Sequence, residues 1–270
     1  AHLLVIERFD PTRPGTWVDV VNGRSSILFA TLAGVSIALL SAEPGSSGTR
    51  PQRGRALSLT RRRLIVRAVL IWLLGVALVA TGVPVYVILP AYALLFLLGA
   101  ALLTLRAQTL WIVAASLAVL MPWVLPVLDA VPVWQAGEPW NPTALLGWHY
   151  PFPLWAAFLV AGMAAGRSDL RVAHTDLVLV LAGLSAVVAA AVGASITAHT
   201  LSAVPDGGAF GGYLQTVLTD AAHSGGLWEV VGSGGGALAV IGACVLVCRL
   251  RVSAVLLPLR AVGSMPLTAY

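Results

Sequence analysis

The chain predicts an all-α fold, a polytopic bundle of transmembrane helices, on three observations. Hydrophobic residues make up 59% of it and charged residues only 10%, with a mean hydropathy of +0.91, whereas a soluble domain carries about 25% charge. Seven runs are long and apolar enough to cross a bilayer, and six of them hold no charged side chain. The arginines and the acids between those runs alternate from one side to the other, as the loops of a membrane protein do.

The runs are Ser25–Ala42, Leu64–Val83, Val85–Leu105, Thr109–Leu128, Phe152–Gly166, Leu177–Ala198 and Val230–Cys248. The third is the plainest. At about 1.5 Å per residue its length matches the roughly 30 Å of a hydrocarbon core. The fifth is short, so it tilts little, begins nearer Trp148 or meets a thin place in the bilayer. The second carries Arg67 one turn in, where the side chain can reach back to the surface. No linker divides the runs, so residues 1–270 are expected to form one membrane domain. The opening Ala1-His2-Leu3-Leu4-Val5-Ile6 reads as the last turns of a preceding helix and Ser264–Tyr270 as the first turns of a following one. About seven full spans, partial helices at both ends and a native protein extending past both ends are therefore expected.

All 16 basic residues are arginine. If the loop Glu43–Arg63 is cytoplasmic, alternation puts 13 of them inside and leaves only Arg8, Arg13 and Arg24 outside, a strong positive-inside bias. The expected location is the plasma membrane, with arginine-rich loops cytoplasmic. The isoelectric point near 9.9 then reflects topology, and nucleic acid is not an expected partner. Eight of the 11 acids fall on the other side, with His2, His149, His199 and His223. Trp17, Trp134, Trp140, Trp148, Trp155 and Trp228 gather there as an aromatic belt. Two long loops on that side, Asp129–Pro151 and His199–Glu229, are candidate binding surfaces. The segment Arg249–Arg260 reads as an interfacial helix on the arginine side.

Several familiar patterns lead elsewhere than chemistry. Gly232-Ser233-Gly234-Gly235-Gly236 lacks the Gly-Lys-Ser/Thr ending of a phosphate loop and predicts close helix packing. So does the Gly162/Gly166 pair. Cys244 and Cys248 share one helical face and lack the partners of a metal site; no metal is expected. What remains is the set of histidines and acids on one side, beside Asn22 and Arg24 at the mouth of the first run. Imidazole moves protons near neutral pH, and a neighbouring carboxylate can fix its tautomer. On the other side, Arg61, Arg62 and Arg63 with Arg167 could grip phosphates, which guanidinium pairs with well. The same arginines also satisfy the topology rule without further role.

Several segments in order resemble one family. Asn22-Gly23-Arg24-Ser25-Ser26-Ile27-Leu28-Phe29-Ala30-Thr31-Leu32-Ala33-Gly34-Val35-Ser36 resembles its second-helix signature. A basic loop ending Arg61-Arg62-Arg63 and a hairpin around Val85–Tyr92 follow. Tyr150-Pro151-Phe152-Pro153-Leu154-Trp155, with Gly162 and Gly166-Arg167, is similar to its Tyr-Pro…Trp…Gly…Gly-Arg helix, and Val262-Gly263-Ser264-Met265-Pro266-Leu267-Thr268-Ala269-Tyr270 to its closing segment. The family is that of heparan-α-glucosaminide N-acetyltransferase-like multi-pass acyltransferases and related bacterial proteins. The resemblance implies acyl transfer across the membrane, with acyl-CoA (acetyl-CoA) as co-substrate inside and a glycan or lipid-linked acceptor of the cell envelope outside. Val18 stands where the characterised enzyme has a histidine and Ser264 where relatives often have arginine, so it implies either direct transfer or a substitute histidine, His2.

The expected roles follow. His2 or His149 is the general base, with Asp19 orienting it. Asn22, Arg24, His223 and Glu229 line the acceptor site. Arg61, Arg62, Arg63 and Arg167 hold the phosphates of the acyl-CoA. A homodimer is compatible with such a bundle. Two other classes stay open at this point: a transporter or flippase of a polar lipid or sugar, and a non-catalytic membrane scaffold subunit.

Overall fold

The computed structural model describes residues 12–13, 24–46, 48–82, 86–134, 142–202 and 208–249. Nine α-helices run through them: α1 (Arg24–Leu40), α2 (Gly54–Ala80), α3 (Leu89–Leu102), α4 (Ala107–Asp129), α5 (Pro142–Leu146), α6 (Phe152–Arg167), α7 (Ala173–Ser202), α8 (Gly208–Val217) and α9 (Leu227–Arg249). A 3-10 turn at Pro132–Trp134 precedes α5. The described residues hold no strand beyond one isolated bridge, Ala42 to Pro51.

Among the described residues, four helices are long and apolar enough to cross a membrane: α2, α4, α7 and α9. The helices α1, α3 and α6 are apolar but shorter, at 17, 14 and 16 residues. The seven expected crossings thus divide into four that meet the length and three that fall short of it. The run Val85–Leu105 is the largest departure. Its helix begins only at Leu89, with Pro90 in the first turn, where a missing N–H is not needed, and it rises only about 21 Å. The second run departs the other way: α2 starts at Gly54, so Arg55 and Arg61–Arg63 are helical rather than loop. Of the expected interfacial segment Arg249–Arg260, only Arg249 lies among the described residues.

The bundle is built around α6, on which Leu154–Val160 and Gly162–Arg167 are buried. A helix apolar on every side belongs inside, and α6 packs against α1, α3, α4 and α9. Its closest neighbour is α1, because small residues let the backbones touch. A Cβ on Gly34 would collide with the Leu159 carbonyl, and one on Gly162 with the Thr31 carbonyl. A second such seam joins α7 to α9, where Gly183 faces the Gly235 carbonyl and Gly235 faces Ala186. The Gly232–Gly236 string is therefore a packing surface within a helix. Around this core, α2, α4 and α7 point Leu70, Leu74, Leu120, Val127, Leu181 and Val188 outward. Rings of exposed large aliphatics suit a hydrocarbon surrounding, where backbone polar groups must be satisfied inside the helices.

Arg167 closes one end of α6. It is 1% exposed. Its Nη1 donates to the Ala38 and Gly48 carbonyls at 3.0 and 3.1 Å, and its Nη2 to Ser41 Oγ and the Leu103 carbonyl at 2.8 and 2.9 Å. The C-terminal ends of α1, α3 and α6 all meet this cation, and each carries partial negative charge. At the same end, Arg249 pairs with the buried Asp176 at 2.7 Å and donates to the Leu170 and Arg171 carbonyls, locking the start of α7 to the end of α9.

Candidate functional site

At the opposite end of α6 a cavity of about 160 Å³ opens between the ends of α1, α4, α6 and α9. Asp129, His149, His223 and Glu229 border it, with Tyr150, Trp148 and Trp155 forming much of the wall. Each arrives by a different route. Asp129 is the last residue of α4. His149 and Tyr150 sit in the turn between α5 and α6, which Trp148 anchors by donating from Nε1 to Asp129 Oδ1 at 2.7 Å. Trp148 also stacks flat on Trp134, with ring centroids 4.0 Å apart. Trp155, on the first turn of α6, meets Tyr150 edge to face at 5.5 Å. Such aromatic pairs add about 0.5–1.5 kcal/mol each beyond their burial.

Glu229 enters from the first turn of α9 and organises the turn before it. Its Oε1 accepts the His223 N–H at 2.5 Å, and its Oε2 accepts the Gly225 N–H at 2.7 Å and the Ser224 hydroxyl at 3.1 Å. His223 adopts a left-handed φ of 64°, an uncommon conformation in which histidine is nonetheless enriched among non-glycine residues. Strain of this kind persists where surrounding contacts hold it, and it clusters at functional sites. The exposed His149 ring lies on Tyr86, with centroids 3.9 Å apart. Partial burial pushes its pKa below the usual histidine value, so the neutral, proton-accepting form prevails at neutral pH. Burial raises the Tyr150 hydroxyl in turn, which keeps it a donor.

The expected site residues therefore separate. His149, His223 and Glu229 come together around one cavity. Arg24 opens α1 one turn before Ile27, which lines that cavity. His2, Asp19 and Asn22 lie outside the described residues. Asp129, Tyr150 and Trp148 belong to the same cavity and were not among the expected site residues. The signal that could have found them is the Tyr-Pro turn, which must carry its neighbours to the head of α6.

The four arginines expected to hold phosphates do not form one group. Arg167 is buried, and both its terminal nitrogens are fully engaged by the protein itself, which leaves it no reach to a ligand phosphate. Arg61 donates from Nε to the Ala100 carbonyl at 3.1 Å, tying α2 to α3. Arg62 and Arg63 are exposed and line a groove of about 460 Å³ with Arg67. Nearby, Arg50, Arg53 and Arg106 border a separate cleft of about 770 Å³.

Between the two ends lies an apolar crevice of about 470 Å³. Its floor is α6 and α9, its sides α4 and α7, and it meets the polar cavity at Phe158 and Val230, which line both. Among the described residues no group of three or more His, Cys, Asp or Glu is placed to hold a metal ion; Cys244 and Cys248 are free thiols exposed on α9. No protein-family model, no curated protein and no solved structure matches the chain.

Proposed function

We propose that this chain is a membrane-embedded acyltransferase that moves an acyl group, acetyl in the simplest case, from acyl-CoA on the cytoplasmic side to a hydroxyl or amine of a glycan or lipid-linked acceptor on the outer side. In this reading all seven apolar helices cross the plasma membrane, and the arginine-bearing end faces the cytoplasm. The supporting observation is the convergence of His149, His223, Glu229 and Asp129 on one cavity at the end of α6 opposite the arginines. The order of family-like segments points the same way.

His149, neutral at working pH, takes the proton of the acceptor hydroxyl as its oxygen attacks the thioester carbonyl. The C–O bond forms and the C–S bond breaks. The thiolate of CoA then receives the proton back from the imidazolium. Tyr150, held protonated, would donate toward the developing oxyanion. Arg62, Arg63 and Arg67, or Arg50, Arg53 and Arg106, supply the cationic clefts for the CoA phosphates. Arg61 and Arg167 have structural duties in their place.

The test is transfer of label from radiolabelled acetyl-CoA to envelope lipid and glycan extracts by the purified protein in nanodiscs. A positioned base contributes about 10²–10⁴-fold, so His149→Ala is expected to lose that much. Undiminished transfer in His149→Ala would remove the base role. One observation favours a second reading: a crevice open to the side also suits a lipid flippase. Headgroup movement across the bilayer without acyl-CoA would select it.

A further inference from the structure

The first half of α2 divides its arginines between two duties. Arg61 turns inward and donates to the Ala100 carbonyl. Arg62, Arg63 and Arg67 turn outward into the groove of about 460 Å³, and among the described residues none of the three makes a hydrogen bond or ion pair within the protein. No acid lines that groove. Arg63 and Arg67 are one turn apart, a spacing at which like charges repel. The other wall is Leu40, the last residue of α1. A chain of hydrogen bonds fixes it: Thr60 donates to Gln52 Oε1 at 2.7 Å, and Gln52 Nε2 donates to the Leu40 and Ala42 carbonyls at 3.3 and 3.1 Å. The groove is thus a built concavity and not a bare helix face.

We infer that this groove binds an anionic phospholipid of the surrounding bilayer, with Arg62, Arg63 and Arg67 holding its phosphate and one acyl chain lying along α2. The site needs the bundle to stand in a bilayer; it does not need the acyltransferase chemistry. Three features carry it. Guanidinium pairs bidentately with phosphate oxygens, and basic pockets beside membrane helices take anionic headgroups; one arginine can simply reach back to water, but three on one wall with no acid leave a charge that a phosphate neutralises. The same face of α2 then turns wholly aliphatic: Val66, Leu70 and Leu74 follow at four-residue steps and are 57%, 59% and 56% exposed. From Arg63 to Leu74 the helix rises about 16 Å, close to one leaflet of a core roughly 30 Å thick. Finally, Leu40, Leu59 and Val66 interleave with the cations inside the groove, which gives apolar surface that a lipid covers and a soluble phosphate compound does not. The cleft at Arg50, Arg53 and Arg106 has the opposite character, bordered by Thr49, Gln52 and Gln108, and suits a soluble phosphate compound better.

The probe is dioleoyl phosphatidylglycerol, titrated against phosphatidylcholine of the same chains into the full chain in detergent, with retained lipid counted by native mass spectrometry. Phosphatidylglycerol is expected to be retained over phosphatidylcholine by at least about tenfold, and Arg67→Gln to lower that preference about fivefold, the step that one cation near an anionic headgroup makes. Arg62→Gln, Arg63→Gln and Arg67→Gln together are expected to abolish it. Arg50→Gln, Arg53→Gln and Arg106→Gln together, an equal loss of charge, are expected to leave it. All six side chains are exposed, so both triple variants should melt with the native chain in lipid-free detergent; if the first melts lower, Arg67→Gln alone carries the comparison. Equal retention of the two lipids by the native chain overturns the inference. So does an equal loss in both triple variants, which would make the preference a matter of net charge. Displacement of the lipid by equimolar acetyl-CoA also overturns it and gives the groove to a soluble phosphate. The expected retention in a chain that transfers acyl groups to no acceptor sustains the lipid site and removes the enzyme.

Discussion

Replacing Arg167 with methionine tests whether this arginine is structural or binds phosphate. Methionine keeps the unbranched length and removes every donor. The Gly48 and Leu103 carbonyls lose the guanidinium in a place that water does not reach, since Arg167 is 1% exposed, while the Ala38 carbonyl keeps the Ser41 hydroxyl at 3.2 Å. Hydrogen bonds to a charged group contribute about 1.5–3 kcal/mol each, and a stranded buried acceptor costs about 1–3 kcal/mol. The Ser41 hydroxyl can fall back on the Ile37 carbonyl, which it already reaches at 2.7 Å. Counting the two carbonyls at about 1–3 kcal/mol each, and allowing for relaxation, the expected loss is about 2–5 kcal/mol, large for a single substitution. Arg167→Lys keeps the charge but not the fork that serves two nitrogens' worth of acceptors, and should fall between. The assay is thermal unfolding in detergent followed by size-exclusion chromatography, with acyl-CoA binding measured on the same samples below the transition. The expected order of melting temperature is native, then Arg167→Lys, then Arg167→Met. An Arg167→Met protein that melts with the native chain yet binds acyl-CoA tenfold more weakly would refute this assignment and restore the phosphate role.

Three further outcomes follow from the same geometry. Acyl transfer is expected to hold steady above the ordinary histidine value of about 6.5 and to fall on acidification below it, because the depressed His149 pKa keeps the base neutral at higher pH. The same depression makes the folded state bind fewer protons than the unfolded chain in that window, so stability also declines there as the pH is lowered; an activity loss centred above neutrality that His149→Ala abolishes would contradict it. Asp176→Asn leaves Arg249 without its carboxylate; because the arginine side chain is 32% exposed, the expected loss is about 2–3 kcal/mol, below the roughly 3–5 of a fully buried pair, read as a lower melting temperature that added salt does not restore. Gly162→Ala drives a methyl group into the Thr31 carbonyl and should destabilise by about 1–3 kcal/mol, whereas Gly211→Ala on α8, with open space around it, should not; equal melting of the two variants would argue against the α1–α6 contact.

Much of this fold was legible because lipid imposes a simple code. The ends of α4, α6 and α9 fall within three residues of the uncharged runs, which stop at an arginine or an acid. The first ten residues of α2 were not legible. Arginine forms helices well, and a polar helical extension is invisible to any reading that looks only for apolar length. The helix α3 was overestimated for the opposite reason: hydropathy carries no mark of where Pro90 lets a helix begin, so Val87 and Ile88 counted as span. At the site, shared sidedness brought His149, His223 and Glu229 together, since loops leaving one end of a bundle meet there. Sidedness says nothing about depth, so Arg167 read like its exposed neighbours Arg62 and Arg63. Only the fold reveals that three helix ends converge on it.

The shortness of the central helix has a consequence for transport of a reacting group. With 16 residues, α6 measures about 24 Å end to end, some 6 Å less than a hydrocarbon core. On the proposed reading, in which α6 crosses the bilayer, the insulating layer would be thinned at the very axis of the molecule, and both termini of that axis would lie as wells beneath the level of the surrounding headgroups. A donor entering from one well and an acceptor from the other would be brought nearer than the bilayer itself allows, without any helix having to move.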